Sequence, residues 1–310
     1  MRRRFDIRKY IYLLVIITVV LYVLSTFVFG KGNISFLYVL GGLLFLAANA
    51  LLVYLTVDFF AVSINHAAPF VFAILALSFP AVAIYDASLW CVLPVNLAFY
   101  LAARFYGGDI NEDWAFCYSA LIAIASLLFP PVAWLALFLL IMNFFPAGDK
   151  ARFIVISIAG FLLPLVVLMA YKFATVDARE LAPAAKHYLG AIVSPYVTLG
   201  ANSAARVIKI ATLVVCFVVS LVSFFRRNAE YSVSHSRVMI LIFAYSAMVT
   251  LLVVLFGYGS LQMNIMLIMA PVSLAIYDYL IWGASDKACR IAISFLALAV
   301  VLEYIFVAIR

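Results

Sequence analysis

Charge is scarce in this chain. Only 11% of its 310 residues are Asp, Glu, Lys or Arg, against roughly 25% in soluble domains. Hydrophobic types make up 69%, and the mean hydropathy is +1.23. A soluble globule of this length cannot hide so much apolar surface, because a folded protein always leaves much of its area facing water. An ordinary soluble domain and a disordered chain are both excluded. Lipid is the solvent for most of these residues.

Other shortages narrow the chemistry. Histidine occurs three times, at His66, His187 and His235, in three different connections. A metal centre built on histidine is therefore not expected. The four cysteines, Cys91, Cys117, Cys216 and Cys289, form no C-x-x-C pair and mostly lie inside apolar runs. Neither a disulfide framework nor a zinc site is expected, and no cofactor. Gly107-Gly108-Asp109 and Gly257-Tyr258-Gly259 fall in turns between apolar runs, not in a strand–turn–helix unit, so nucleotide binding has no support.

Acids are fewer than bases, 13 against 20, for a net charge of +7. The bases fall mostly between apolar runs, where they act as topology signals and touch anionic lipid. Nucleic acid is not an expected partner. Membrane lipids are.

Long apolar runs are what the chain has in abundance. Runs near 10–29, 35–57, 68–85, 88–104, 114–129, 131–146, 151–173, 205–225, 238–257, 261–282 and 288–307 predict an all-α, polytopic membrane bundle. The count is about eleven spans, with ten as the alternative, in one transmembrane domain over residues 1–310. Helices are preferred to a barrel because the runs are continuous, not alternating. Pro130 and Pro131 break the fifth run from the sixth, leaving either two short crossings or a re-entrant hairpin over 114–146. Arg2, Arg3, Arg4, Arg8 and Lys9 precede an apolar stretch of about 20 residues, longer than the ~7–15 of a signal core. An uncleaved signal-anchor helix is expected there. With the N-terminus cytoplasmic, 13 positive residues fall inside and seven outside, which supports an N-in, C-out arrangement.

One polar connection is long. At about 174–204 it carries Arg179, Glu180, Lys186, His187 and Tyr188, and Arg206 follows it. Apolar residues recur at Leu181, Ala184, Ala185, Tyr188, Leu189 and Ile192, the pattern of an extracytoplasmic interfacial helix, with Pro183 as a kink or a start. Arg179, Lys186, Tyr188 and Arg206 are candidate substrate-binding residues for a lipid-linked phosphate, since Arg grips phosphate through two hydrogen bonds and Lys as a point charge. His187 is the candidate general base, with Glu180 as alternative or partner. The same pattern suits a helix that merely rests on ordinary headgroups. Two carboxylates, Asp278 and Glu303, lie inside apolar runs, and each is a functional candidate because an unpaired charge in lipid is costly.

Asn96-Leu97-Ala98-Phe99, Asp113-Trp114-Ala115-Phe116, Ala125-Ser126-Leu127-Leu128-Phe129-Pro130-Pro131 and Gly160-Phe161-Leu162-Leu163-Pro164 together carry a resemblance. The stretch 96–164 resembles an uncharacterised family of polytopic bacterial inner-membrane proteins of about 300 residues. Leu128 stands where that family has an aromatic, and its basic-aromatic patch is here the shorter 146–152. The resemblance implies a helical bundle and a bacterial inner membrane. It implies no reaction.

Three functions remain open, and whether the chain is an enzyme is undecided at this point. The first is envelope biogenesis at the outer face, as a transferase or polymerase acting on a polyprenyl-phosphate-linked glycan. Many lipid-phosphate-sugar-dependent glycosyltransferases carry acids in their first outer loop, whereas Gly30-Lys31-Gly32-Asn33 has none. The second is a proton-coupled transporter or flippase using Asp278 and Glu303. The third is a non-catalytic scaffold in a membrane protein complex.

Overall fold

A computed structural model describes residues 11–29, 36–60, 68–79, 90–108, 111–144, 149–175, 178–193, 204–227, 231–256 and 261–282, with 298, 300, 301, 304 and 305. Every regular element among the described residues is helical. In chain order they are α1 (Ile11–Phe29), α2 (Phe36–Phe60), α3 (Ala68–Leu77), α4 (Val92–Gly107), α5 (Glu112–Leu128), a 3-10 turn (Pro130–Val132), α6 (Ala133–Met142), α7 (Lys150–Thr175), α8 (Ala178–Val193), α9 (Ala204–Arg227), α10 (Val233–Phe256) and α11 (Leu261–Trp282). Most of the expected last helix, 288–307, lies outside the described residues, and the five of its positions that are described are helical.

Three helical stretches among the described residues are long and apolar enough to cross a membrane: Leu37–Val57, Lys150–Thr175 and Val233–Leu252. Two of the expected spans have short helices among the described residues. In the run at 68–85, α3 ends at Leu77, ahead of Pro80, which disfavours helical geometry in the residue before it, and 80–85 lie outside the described residues. The run at 131–146 gives a 3-10 turn and then α6, whose 10 residues rise only about 15 Å against a hydrocarbon core of about 30 Å.

The chain divides into two compact units. The first comprises Met1–Asp86, Leu199–Phe243 and Ile268–Arg310. In it α3 packs on both α1 and α2. The Tyr304 hydroxyl donates to the carbonyl of Leu77 at 2.8 Å and touches the hydroxyl of Ser25, tying the last segment to α3 and α1. Phe224 of α9 packs on Phe243 of α10 with ring centroids 5.6 Å apart.

The second unit comprises Ala87–Thr198 and Ala244–Leu267. Asn111 opens α5 by accepting the Asp113 N–H at 3.0 Å, and Glu112 and Asp113 in the first turn suit the positive end of the helix dipole. Glu112 pairs with Arg152 at 2.7 Å, so α5 and α7 begin side by side. The two helices then pack along their length. Their closest approach is at Gly160, which meets the backbone of Phe116. A Cβ there would lie 3.0 Å from the Phe116 Cα and closer still to its carbonyl oxygen, so only glycine fits.

A buried polar knot fixes one end of this unit. Asn143, just past α6, accepts from the hydroxyls of Tyr106 and Tyr118 and donates to Ser157 Oγ at 2.8 Å. The knot joins the ends of α4 and α6 to the starts of α5 and α7. In so apolar a bundle, each of these groups must find its partner inside the protein.

Candidate functional site

The 178–193 segment is a helix, and it runs unbroken through Pro183. Proline removes one N–H from the helical ladder, and bonds from outside the helix secure its later half. The Tyr188 hydroxyl lies 2.8 Å from Ser126 Oγ on α5. The Trp134 indole N–H of α6 donates to the Ile192 carbonyl at 3.1 Å. The helix α8 also packs on the Pro130–Val132 turn and on α7. The proline-linked corner between α5 and α6 is therefore the seat of the amphipathic helix.

Beside this seat is an open apolar cavity, a groove of about 400 Å³ with partly exposed walls. Its walls are Ala133, Trp134, Ala136, Leu137 and Leu140 of α6 and Ser157, Ile158, Phe161, Leu162 and Leu165 of α7. Ser119 of α5 and Tyr188, Leu189 and Ile192 of α8 complete the lining. From Ser157 to Leu165 the α7 wall is about 12 Å long. The cavity reaches from the Asn143 knot, through Ser157, to α8. Its volume falls in the range of ordinary ligand sites, and its lining suits an apolar chain.

The sequence candidates separate around it. Tyr188 lines the cavity and is hydrogen-bonded to Ser126. Lys186 and His187 are exposed on α8, and among the described residues neither has a hydrogen-bond or ion-pair partner. Arg179 and Glu180 belong to the first turn of α8, and Arg206 to the first turn of α9, but their side chains lie outside what the structure describes. Helical spacing puts Lys186 and His187 outside the Tyr188–Ile192 stripe of α8, on its two flanks, with Lys186 next to Leu189.

Asp278 has a different setting, in the first unit. It is buried near the end of α11. His235 Nε2 lies 3.1 Å from its Oδ1, and the Tyr231 hydroxyl donates to its Oδ2 at 3.3 Å. The Tyr231 and His235 rings stack with centroids 4.6 Å apart. Ser232 accepts the His235 N–H at 3.2 Å and so caps the start of α10. A carboxylate near a membrane is tolerable when both oxygens are bonded in this way. Sequence reasoning gives His235 and Tyr231 no role, since His235 falls in a connection and Asp278 lies 43 positions away. Glu303 lies outside the described residues.

Sequence reasoning also misses Asn143, Tyr118, Ser157, Ser126 and Trp134. The only signal for them is a scatter of polar atoms in apolar runs, which does not say which helices meet. No family model matches the chain, and no curated protein matches it.

Proposed function

We propose that this chain is a multi-spanning bacterial inner-membrane protein of about eleven crossings, N-in and C-out, that works in envelope biogenesis. Its substrate is a polyprenyl-phosphate-linked glycan at the outer face, and its reaction is of the transferase or polymerase type. The observation that carries this reading is the pairing of α8, a surface helix bearing Lys186 and His187, with an apolar cavity reached beneath it. An amphiphile with a phosphate head and a long chain needs those two environments side by side. Arg179 and Lys186 hold the phosphate, Tyr188 positions the helix, and His187 with Glu180 moves the proton. Arg206 is a further phosphate candidate on its residue type and place in the sequence alone. The Glu112–Arg152 pair supports the topology, because it puts the starts of α5 and α7 together near Lys150. The α8 seat is at the opposite end of α5. The resemblance to the uncharacterised inner-membrane family fits the same placement.

The test is to purify the protein in native lipid and identify retained lipids by mass spectrometry. A polyprenyl-phosphate species retained by the wild type and lost in Arg179→Glu is the expected result. Bulk phospholipid alone would sink this reading and favour a scaffold in a membrane complex.

A second reading, a proton-coupled transporter or flippase, has its own support in the buried Asp278–His235–Tyr231 cluster. Intramembrane carboxylates with a histidine neighbour suit proton binding and release. Glu303 would be the second coupling carboxylate. Flux that is proton-dependent in the wild type and absent in Asp278→Asn would favour it over the transferase.

A further inference from the structure

We infer that the cavity between α6 and α7 is a chain site that takes the single apolar tail of a phosphate-headed lipid, threaded under α8 toward Ser157. The inference rests on the lipid-phosphate reading above and assigns the part of the molecule that the reading left unplaced.

Three observations lead to this occupant. The first is the shape and lining. The cavity is about 400 Å³, and its walls are almost wholly apolar, so a sugar or a free phosphate has little to bond inside it. The α6 wall sets the small Ala133 and Ala136 beside the larger Leu137 and Leu140. A volume of about 400 Å³, toward the small end of ordinary ligand sites, has room for one chain and not for paired tails.

The second is the position of charge. Lys186 is exposed and has no partner among the described residues. It is three residues before Leu189, which lines the cavity, so the two are neighbours on the helix surface. A lysine stem can lie along that rim while its ammonium stays at the headgroup level. Arg179 is seven residues earlier, on the same side of α8. Charge complementarity thus selects an anionic head at the rim. The third is the anchoring of the roof. Tyr188–Ser126 and Trp134–Ile192 hold α8 on the corner by bonds that leave the slot itself open. The indole of Trp134 lies in the wall and reports on whatever fills the slot.

The experiment uses the full chain with Trp90, Trp114 and Trp282 each changed to Phe, so that Trp134 is the single tryptophan. It is reconstituted in nanodiscs of phosphatidylethanolamine and phosphatidylglycerol. The probe is a polyprenyl monophosphate carrying a spin label on its chain, with chain-labelled phosphatidylglycerol as the comparison. The expected result is saturable quenching of Trp134 by the polyprenyl probe, and only proportional quenching by the phospholipid. Leu162→Phe narrows the rim from a half-exposed position and leaves the buried packing untouched. It should weaken the polyprenyl probe about tenfold, about 1.4 kcal/mol. Lys186→Glu should weaken it similarly and leave phospholipid quenching unchanged.

Equal, non-saturable quenching by both lipids would overturn the inference, because ordinary bilayer lipid then occupies the slot. Polyprenyl phosphate that co-purifies with the wild type by mass spectrometry and is lost in Lys186→Glu but not in Leu162→Phe, with no saturable quenching of Trp134, would overturn the chain site alone and leave the lipid-phosphate reading standing. A protein that retains no polyprenyl phosphate at all would overturn both.

Discussion

Gly160 of α7 meets the backbone of Phe116 of α5 so closely that a Cβ at position 160 would lie 3.0 Å from the Phe116 Cα. The obstacle is backbone, which cannot swing aside as a side chain can. Gly160→Ala should therefore push α5 and α7 apart and cost about 1–3 kcal/mol, the usual range for overpacking. Gly190 on α8 is the control, since a Cβ there meets nothing within 4 Å. Gly190→Ala should be neutral or should stabilise by about 0.5–1 kcal/mol through helix propensity. Thermal unfolding of both variants in the same detergent decides it. Equal melting temperatures would mean that the α5–α7 crossing is looser than the structure has it.

The Asn143 knot carries the second prediction. Asn143→Leu keeps the volume close and removes the acceptor for Tyr106 and Tyr118 and the donor to Ser157. Buried hydroxyls then lose a partner inside an apolar bundle, at about 1–3 kcal/mol. Tyr118→Phe removes one of the same bonds, so the double variant should lose less than the two single losses added together. Strictly additive losses would show that Tyr118 and Asn143 do not interact.

Much of the helical architecture is legible in the sequence, and the limit of that legibility has a physical form. Apolar runs reveal helices because a 20-residue stretch in lipid has few alternatives. The amphipathic helix at 178–193 is legible because its apolar and charged positions alternate with helical spacing. Helix length at proline breaks is not, as Leu77 and Met142 show, and neither is the choice of which polar atoms face one another. Asp278 stands out by its cost in lipid, but His235 and Tyr231 do not, because a pairing across 43 or 47 positions leaves no periodic trace. The cavity under α8 is hidden for the same reason. It is lined by four helices, α5 to α8, and no one of them marks it.

The Asp278 cluster yields a third prediction. His235→Ala leaves the carboxylate with the Tyr231 hydroxyl as the bond left to it from this cluster, in a site where both side chains are at most 16% exposed. Removing one partner of such a pair should destabilise more than Asp278→Asn, which keeps a polar group of the same shape without the charge. The difference should be about 1–2 kcal/mol, within the range for a lost bond to a charged group. Chemical denaturation at neutral pH gives the order directly. A larger loss in Asp278→Asn than in His235→Ala would mean that the His235–Asp278 contact, rather than the burden of an isolated carboxylate, dominates the site.

The last prediction concerns how α8 is held. Two hydrogen bonds, Tyr188–Ser126 at 2.8 Å and Trp134–Ile192 at 3.1 Å, link its later half to α5 and α6. Each is worth about 0.5–1.5 kcal/mol, which is small against the stability of the whole fold but large for one surface helix. Tyr188→Phe should therefore leave the melting temperature nearly unchanged and raise local opening of α8. Hydrogen exchange at residues 188–193 should quicken up to about tenfold, since 1.4 kcal/mol is a factor of ten in the opening equilibrium. Tyr188→Phe combined with Trp134→Phe should compound the effect, and exchange in α7 should stay as it was. If both helices speed up together, α8 opens only with the unit as a whole and its seat is part of the core. If α8 alone responds, the helix is a locally released element over the cavity, and lipid retention should fall in step with its opening.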